Sequence, residues 1–234
     1  MSRHLLLRCQ PLCSSMSPAR SVLLDLDGTL IDSQPGISAS CLAALRALGY
    51  DPCEAPNINI GLPLEDMLQA LLQVHGDDRI GDAVTAYRHH YGEYGLLGSE
   101  PYPGIGSALQ EMRQTGLRIY LATSKREVFA RRILENLELA TYFDGIYGSV
   151  PGGKLDHKPE LLAHVLFEQD ICPSHSLMVG DRRHDIIGAH AVNMRGLGAL
   201  WGYGSRDELE AAGADRLVEL TADLARVVLS MLDG

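Results

Sequence analysis

The sequence predicts an α/β protein with a parallel β-sheet and an inserted helical domain. Short apolar segments that end in turn or acidic residues alternate with segments of helical periodicity, which is typical of repeated βαβ units. Between residues 33 and 102 the helical periodicity continues without a good strand. A length of 234 residues, of which 46% are hydrophobic, suits one core domain with a modest insertion.

Six strands and five core helices follow from the apolar runs and the turn residues that bound them. The predicted strands are Ser21–Leu26, Leu117–Ala122, Gly145–Tyr147, Ser176–Val179, Leu197–Trp201 and Arg216–Val218. The predicted helices are Gly104–Thr115, Glu127–Leu137, Pro159–Gln169, Asp185–Val192 and Asp223–Leu232. Alternation at this spacing predicts a Rossmann-like core of three layers, with the sheet between two layers of helices.

The predicted core consists of residues 21–32 and 103–234, and a small all-helical cap, residues 33–102, is inserted after the first strand. Ligands bind beyond the carboxyl ends of the strands in open α/β sheets, so the cap is expected to cover a ligand site. Residues 1–20 are expected to form a disordered leader. Basic residues without any acid up to residue 24 also resemble a mitochondrial transit peptide, which is the alternative.

Charge and cysteine content restrict the partners and the compartment. A formal net charge of −10 repels nucleic acids and anionic membranes, so neither is an expected partner. No stretch approaches the roughly 18 apolar residues that span a bilayer. The five cysteines are scattered without a CxxC pair, which indicates free thiols in a reducing compartment and a cytoplasmic location.

Asp25 and Asp27 stand at the end of the first predicted strand, in the segment DLDGTL. Residues two apart in an extended chain point the same way, so both carboxylates face one spot. Two buried carboxylates repel each other and are costly to desolvate unless a cation joins them. Mg²⁺, a hard ion that prefers oxygen ligands, would resolve this conflict. The alternative is a turn with two solvated acids.

A second acidic site follows the strand Ser176–Val179, in the segment GDRRHD. Asp181 comes directly after the strand, and Asp185 lies four residues later on the same side of a helix. Asp185 alone could be a helix cap, but two parallel strands that both end in acids would bring those acids together. The pattern therefore favours one metal site. Arg182 and Arg183 have no assigned role, and we expect them to lie on a solvated face.

A hydroxyl and an ammonium group are expected at the same sheet edge. Thr123 and Ser124 follow the strand Leu117–Ala122, and Lys158 opens a helix at a Lys-Pro pair, where proline suits the first turn. Such donors are what a phosphoryl group needs around its oxygens. The alternatives are a helix cap for the hydroxyls and a solvated charge for the lysine, with Lys154 as the rival lysine.

These ordered motifs resemble the haloacid dehalogenase superfamily over residues 21–232. DLDGTL is similar to the first motif of that family, Thr123 to its hydroxyl motif, Lys158 to its lysine and GDRRHD to its fourth motif. The inserted helices are similar to the helical cap of the family. Within the family, residues 200–205 (LWGYGS) resemble phosphoglycolate phosphatases, and residues 122–132 with His157 and Lys158 resemble 5′-nucleotidases.

The resemblance implies a Mg²⁺-dependent phosphatase that acts on a small phosphorylated metabolite through an aspartyl-phosphate. Asp25 would attack phosphorus, and Asp27 would protonate the leaving oxygen and then activate water. The metal would bind the Asp25 carboxylate, the Asp27 carbonyl and Asp181. Asp185 would hold Lys158 or a metal-bound water.

The resemblance also implies which groups bind the substrate. Thr123, Lys158 and the backbone N–H groups near Gly28 would hold the phosphoryl oxygens, and Ser124 is a further candidate. The position of Arg88 gives a separate hypothesis: it is the cation near the middle of the helical segment Ile80–Tyr94, and if its face looks into the cleft it would pair with a substrate carboxylate or second phosphate, as in phosphoglycolate. The flanking residues Tyr87 and Tyr91 would instead stack on a nucleotide base. If that face is turned away from the cleft, all three residues are structural.

Other activities stay open at this point. A sugar-phosphate mutase differs from a phosphatase only in the access of water, although the segment Gly61–Asp66 lacks the arginine that such mutases carry nearby. A non-catalytic phospho-acceptor domain shares the acidic pocket, the hydroxyl and the lysine, but lacks the insert and Asp27. Dehalogenation needs no metal, and phosphonoacetaldehyde hydrolysis needs a cap lysine that residues 33–102 lack.

Overall fold

The computed structural model describes residues 19–52, 58, 60, 62–153 and 155–233, so that most of the expected leader lies outside the described residues. The strands are β1 (Ser21–Leu24), β2 (Ile31–Asp32), β3 (Glu100–Pro101), β4 (Arg118–Arg126), β5 (Gly145–Ser149), β6 (Ser176–Gly180), β7 (Arg195–Ala199) and β8 (Arg216–Val218). The α-helices are α1 (Gln34–Ala47), α2 (Leu64–Gln73), α3 (Ile80–Glu93), α4 (Ile105–Gln114), α5 (Glu127–Asn136), α6 (Lys158–Glu168), α7 (Arg183–Ala191), α8 (Arg206–Ala211) and α9 (Leu224–Leu232). None of the described helices has the length and apolar character to cross a membrane.

Six strands form one sheet in the order β5-β4-β1-β6-β7-β8, and each neighbouring pair is parallel. This is the strand order of Rossmann-type sheets, in which ligands bind at the carboxyl edge where the order reverses. β1 is the central strand, with β4 and β6 on its two sides. The predicted α/β class with a parallel sheet is confirmed, and the residues that follow β1, β4 and β6 meet at one edge.

Alternate residues of β1 explain the three layers. Val22 and Leu24 belong to the apolar cluster that includes α4, α5 and α9, whereas Leu23 packs with α6 and α7 on the opposite face. All three side chains are fully buried. Burying a Val or Leu side chain contributes about 1.5–3 kcal/mol, so an uninterrupted apolar run is stabilised only where both faces of the sheet are covered.

The cap helices α1, α2 and α3 sit directly on the core. Ile37 of α1, Leu68 of α2 and Tyr91 of α3 belong to the same apolar cluster as one face of the sheet. Close packing inside the cap needs glycine at two facing positions, since a Cβ on Gly36 would lie 1.9 Å from the carbonyl oxygen of Gly95. The division into core and cap at residues 33 and 102 stays a prediction.

The base of the cap contains an element that the sequence did not predict. β2 and β3 form an antiparallel ribbon in which Ile31 pairs with Pro101 and Asp32 pairs with Glu100. A strand of two residues offers no alternation to detect, which explains why the segment was expected to be helical throughout. The chain passes between core and cap twice, and both passages lie side by side in this ribbon.

Candidate active site

Asp25 lies where three elements of the core meet. It directly follows β1, and its N–H donates to the carbonyl of Val179 (2.9 Å), which fixes it beside β6. Lys158, at the start of α6, donates from Nζ to Oδ1 of Asp25 (2.7 Å) and to the carbonyl of Ala122 in β4 (2.7 Å). The lysine therefore joins the ends of β1 and β4 beneath the cap.

Asp181 and Asp185 complete a buried acidic cluster with Asp25. One carboxylate oxygen of each lies within 4.8 Å of the others. The hydroxyl of Thr29 (3.2 Å) and the N–H of Tyr203 (2.7 Å) donate to Asp181. Asp185 lies 2.7 Å from Lys158 Nζ. The structure thus brings the two predicted acidic sites together.

The electrostatics of the cluster favour a bound cation. Burial, together with the charges of Asp185 and Asp25, raises the pKa of Asp181 to about 8. Burial also raises the pKa of Asp25 to about 7, although Lys158 opposes this shift. One ammonium faces three carboxylates, and all three offer only oxygen ligands. Such a donor set fits a hard divalent ion such as Mg²⁺.

Backbone atoms approach this cluster closely at two glycines. Gly28, at a φ of +84°, is in the left-handed region that favours glycine, and a Cβ there would lie 2.3 Å from Oδ2 of Asp181. A Cβ on Gly202 would lie 2.3 Å from the carbonyl oxygen of Gly28. The segment LWGYGS therefore packs against DLDGTL only because both positions lack side chains.

Asp27 is bound by groups that the sequence did not reveal. Its Oδ1 accepts from the Ser33 hydroxyl (2.5 Å) and from Nζ of Lys125 (2.6 Å). Lys125 also donates to the hydroxyl of Tyr91 in the cap (2.7 Å). Its place directly after Thr123 and Ser124, in a chain with only three lysines, was the available signal.

Thr123 and Ser124 lie in the C-terminal half of β4 and line the same cleft as Asp25 and Asp27. Thr123 is buried, and its hydroxyl oxygen accepts the N–H of Lys125 (3.2 Å). The rival lysine, Lys154, lies outside the described residues.

The cleft opens between the cap and these core residues, and Arg88 reaches it in an ion pair. Nη2 of Arg88 lies 2.7 Å from Oε1 of Glu65. Tyr87 and Tyr91 also line the cleft, but both are buried and stack on each other with centroids 5.5 Å apart. Most of the surface of the two tyrosines is therefore used for packing, which is the alternative to stacking on a nucleotide base. Arg88 is already paired with a carboxylate.

Comparison with known proteins assigns the chain to a family. The family model described as haloacid dehalogenase-like hydrolase matches residues 22–199, which is most of the chain. The chain belongs to the haloacid dehalogenase-like hydrolases. The resemblance seen in DLDGTL and GDRRHD is therefore confirmed.

Three curated relatives show which haloacid dehalogenase-like hydrolases the chain is similar to. A 5′-nucleotidase of Pseudomonas aeruginosa is 39% identical over 195 residues, 82% of this chain and 87% of the relative. Tyrosine-protein kinase PtkA of Mycobacterium tuberculosis is 36% identical over 200 residues, 83% of this chain and 67% of the relative. A phosphoglycolate phosphatase of Neisseria gonorrhoeae is 31% identical over 201 residues, 82% of this chain and 84% of the relative.

Solved structures agree with this assignment. A crystal structure described as a predicted phosphatase from Clostridium acetobutylicum superimposes with a TM-score of 0.84 at 33% identity, and covers 92% of this chain and 100% of its own. Family, relatives and structural neighbour together identify this haloacid dehalogenase-like hydrolase as a phosphatase.

The prediction that Arg182 lies on a solvated face is wrong for this hydrolase. The Arg182 side chain is buried, its Nε donates to Oε1 of Glu208 (2.9 Å), and Nη1 donates to the carbonyl of Ile60 in the cap. Arg183 is exposed, as expected, although its N–H donates to Glu208 (2.9 Å). Glu208 lies on α8, which the sequence did not predict, so the partner of Arg182 was not foreseen.

Proposed function

We propose that the chain hydrolyses phosphate monoesters of a small metabolite in a Mg²⁺-dependent reaction, with a phosphorylated Asp25 as the intermediate. The observation that carries this proposal is the place of Asp25, at the base of a cap-covered cleft with one carboxylate oxygen held by Lys158 at 2.7 Å. A fixed, partly neutralised carboxylate is suited to attack on the phosphorus atom of an anionic phosphoryl group. Cytoplasmic location belongs to the same proposal, and the free thiols of Cys41 and Cys172 agree with it.

The groups around Asp25 would bind the phosphoryl oxygens. Lys158 lies on one side, and the hydroxyls of Thr123 and Ser124 lie along the cleft. The left-handed turn at Gly28 leaves its backbone close to the acidic cluster without a side chain in the way. Preorganised donors of this kind stabilise the charge that develops during phosphoryl transfer.

Asp25, Asp181 and the backbone carbonyl of Asp27 would hold Mg²⁺. When bound, this ion would offset the charge of the phosphoryl group and of the acidic cluster. Asp185 would serve as a positioning residue, since it pairs with Lys158 and its Oδ2 accepts the N–H of Arg182 (3.1 Å). These contacts keep the lysine directed at Asp25.

Asp27 would act as the acid and then as the base. Oδ1 of Asp27 is already bound by Ser33 and Lys125, and no described residue donates to Oδ2. Oδ2 is therefore the oxygen that would give a proton to the leaving group and later take one from water. General acid–base catalysis of this kind contributes about 10²- to 10⁴-fold in rate.

The charges of the cleft favour an uncharged leaving group. Arg88 pairs with Glu65, and Lys125 pairs with Asp27. Arg126 also lines the cleft together with Asp156, and it lies close enough to lower the pKa of Asp156, which burial and Glu65 raise. Arg88 and Lys125 thus already have acidic partners, and Asp156 adds negative charge near Arg126, so a carboxylate on the leaving group would gain little from these cations. An uncharged nucleoside therefore suits the charges of this cleft better than the anionic glycolate does.

Nucleoside 5′-monophosphates are therefore expected to exceed phosphoglycolate in kcat/KM by about tenfold or more, the usual value of one charge-assisted hydrogen bond. Phosphate release in the presence of Mg²⁺ across both substrates and p-nitrophenyl phosphate tests the proposed function and this preference together. A chain that releases phosphate from none of these esters would contradict the proposed function.

Glu65→Gln gives a matched variant for the same prediction. It releases Arg88 from its ion pair, so kcat/KM for phosphoglycolate is expected to rise about five- to tenfold. The value for p-nitrophenyl phosphate, which has no carboxylate, is expected to change less than twofold. The opposite result would be a wild-type protein that prefers phosphoglycolate and loses this preference in Arg88→Ala. Arg88 would then leave Glu65 to bind the substrate carboxylate, and a neutral leaving group would not be preferred.

The stability of the metal-free protein is expected to fall as the pH rises from about 6 to about 9. The pKa values of Asp25 and Asp181 are raised to about 7 and about 8, so the folded protein holds protons that the unfolded chain releases above about pH 4. This contribution to stability is complete below about pH 4, decreases progressively as the pH rises above it, and is fully lost once the pH has passed through about 7 and about 8. Mg²⁺ replaces these protons, so its stabilising effect is expected to grow with pH.

Thermal unfolding between about pH 5.5 and 9, with and without Mg²⁺, measures both effects. Asp181→Asn removes one of the two titrating groups and is expected to flatten the pH dependence of the metal-free protein. A Tm without Mg²⁺ that is constant or increases from pH 6 to 9 would show that these carboxyl groups are ionised in the folded protein.

A further inference from the structure

Lys125 occupies a buried position between the core and the cap. Its Nζ lies 2.6 Å from Oδ1 of Asp27 in the core and 2.7 Å from the hydroxyl of Tyr91 in the cap. The ammonium also lies 4.7 Å from the centroid of the Tyr91 ring, within the range of a cation–π interaction. The side chain is only 8% exposed, so contacts with two specific partners replace most of the hydration of the ammonium group.

The backbone of Lys125 is fixed by an irregularity in the sheet. The pairing of β4 with β5 shifts register between Ala122 and Arg126, and Lys125 lies within this bulge. A Cβ on Gly148 of β5 would lie 2.5 Å from the carbonyl oxygen of Lys125, so glycine is needed for the strands to approach here. Bulges next to active sites commonly redirect a side chain, and this one directs Lys125 towards Asp27.

The ion pair is poorly explained as a stabilising contact alone. Desolvation of two buried charges often costs as much as their attraction gains, and apolar replacements of such pairs are frequently neutral or stabilising. Tyr91 is independently held by stacking on Tyr87 and by an edge contact with Phe129, both at centroid distances of 5.5 Å. The cap thus does not need Lys125 for its packing.

We propose that Lys125 is a positioning residue that orients the carboxylate of Asp27 for proton transfer and makes this orientation depend on the seated cap. Lys125 and Ser33 occupy Oδ1 of Asp27 and so turn Oδ2 towards the reacting group. Tyr91 supplies the second hydrogen bond of the ammonium and the ring beneath it, and both contacts require the cap to be in place. The inference rests on the proposed function, because the orientation of Asp27 matters only if Asp27 transfers protons.

Lys125→Met, with p-nitrophenyl phosphate as the substrate, separates this role from a structural one. p-Nitrophenolate leaves without protonation, so formation of the phosphorylated enzyme needs no acid, whereas its hydrolysis needs Asp27 as a base. The variant is expected to show a burst of p-nitrophenolate at close to the wild-type rate. Its steady-state turnover is expected to fall about 30-fold or more, and its Tm is expected to be lower, because the buried carboxylate of Asp27 loses its ionic partner.

Lys125→Arg keeps the charge and is expected to recover at least tenfold of the lost steady-state turnover. Tyr91→Phe keeps the ring but removes the hydroxyl, and kcat is expected to fall about three- to tenfold with KM nearly unchanged. The control is Tyr50→Phe, which removes a cap tyrosine hydroxyl that donates to Asp77 (2.8 Å) away from the cleft. This control is expected to leave kcat within twofold of the wild type.

Two results would overturn the inference. Steady-state turnover of Lys125→Met within threefold of the wild type would show that Asp27 needs no help from Lys125. A loss of burst rate in parallel with the loss of turnover would show that Lys125 is structural. Neither result affects the proposed function, which is tested separately by phosphate release from the wild-type chain in the presence of Mg²⁺.

Discussion

Asp25→Asn is expected to abolish turnover, with kcat for any phosphate monoester reduced by at least about 10⁴-fold. An amide cannot form the acyl-phosphate that the proposed mechanism requires, and no neighbouring group can replace it at the end of β1. Phosphate release by the purified variant, measured against the wild type at equal Mg²⁺, gives the ratio. The cause is chemical, because the substitution keeps the size of the side chain.

The matched variant is Asp27→Asn, which retains the nucleophile but loses the acid and base. Its rate is expected to fall by about 10² to 10⁴. Since water is then activated poorly, phosphate is expected to accumulate on Asp25, where acid quenching and mass analysis of the peptide can find it. Phosphate on a serine or histidine, or an Asp25→Asn enzyme within tenfold of the wild type, would refute Asp25 as the nucleophile.

Removal of divalent metal is expected to reduce the rate by about 10³-fold or more, and added Mg²⁺ is expected to restore it. The physical reason is the imbalance between one ammonium, that of Lys158, and three buried carboxylates within 4.8 Å of one another. A phosphoryl group brings further negative charge to this place. Without a cation, the substrate and the acidic cluster would repel each other at short range.

Variants at the cluster and at the surface separate metal binding from general effects of charge. Asp181→Asn is expected to raise the concentration of Mg²⁺ that gives half-maximal activity by about tenfold or more. The control Asp82→Asn removes an exposed acid of the cap helix α3 and is expected to leave this concentration unchanged. Undiminished activity of the wild type after exhaustive chelation would exclude a metal-dependent mechanism.

The sequence predicts the sheet and the acidic residues because both depend on short-range patterns. Strands such as β1 and β6 are buried on both faces, so they appear as continuous apolar runs. Asp25 and Asp181 follow these runs directly, and the parallel sheet then brings them together. The meeting of these residues follows from the strand order alone and requires no particular side-chain contact.

Contacts between side chains that are distant in the sequence cannot be predicted from such short-range patterns. Arg88 had the position expected of a substrate-binding residue, but its pairing with Glu65 depends on how α2 packs on α3. Arg182 appeared to be a surface charge because its partner Glu208 lies on α8, a helix of only six residues. The contact of Lys125 with Asp27 depends on the register shift between β4 and β5, which has no signature in the sequence.

The ribbon of β2 and β3 also bears on how the chain folds. Pairing of β1 with β4 brings together Ser21 and Arg118, about 97 residues apart, and this loop must be closed before the central strand gains its neighbour. Once Asp32 is paired with Glu100, the same loop is only about 30 residues long. The entropy of closure is then smaller by about 1 kcal/mol, which corresponds to about a fivefold faster search for the native pairing. A cap that folds early thus accelerates assembly of the sheet whose edge it later covers.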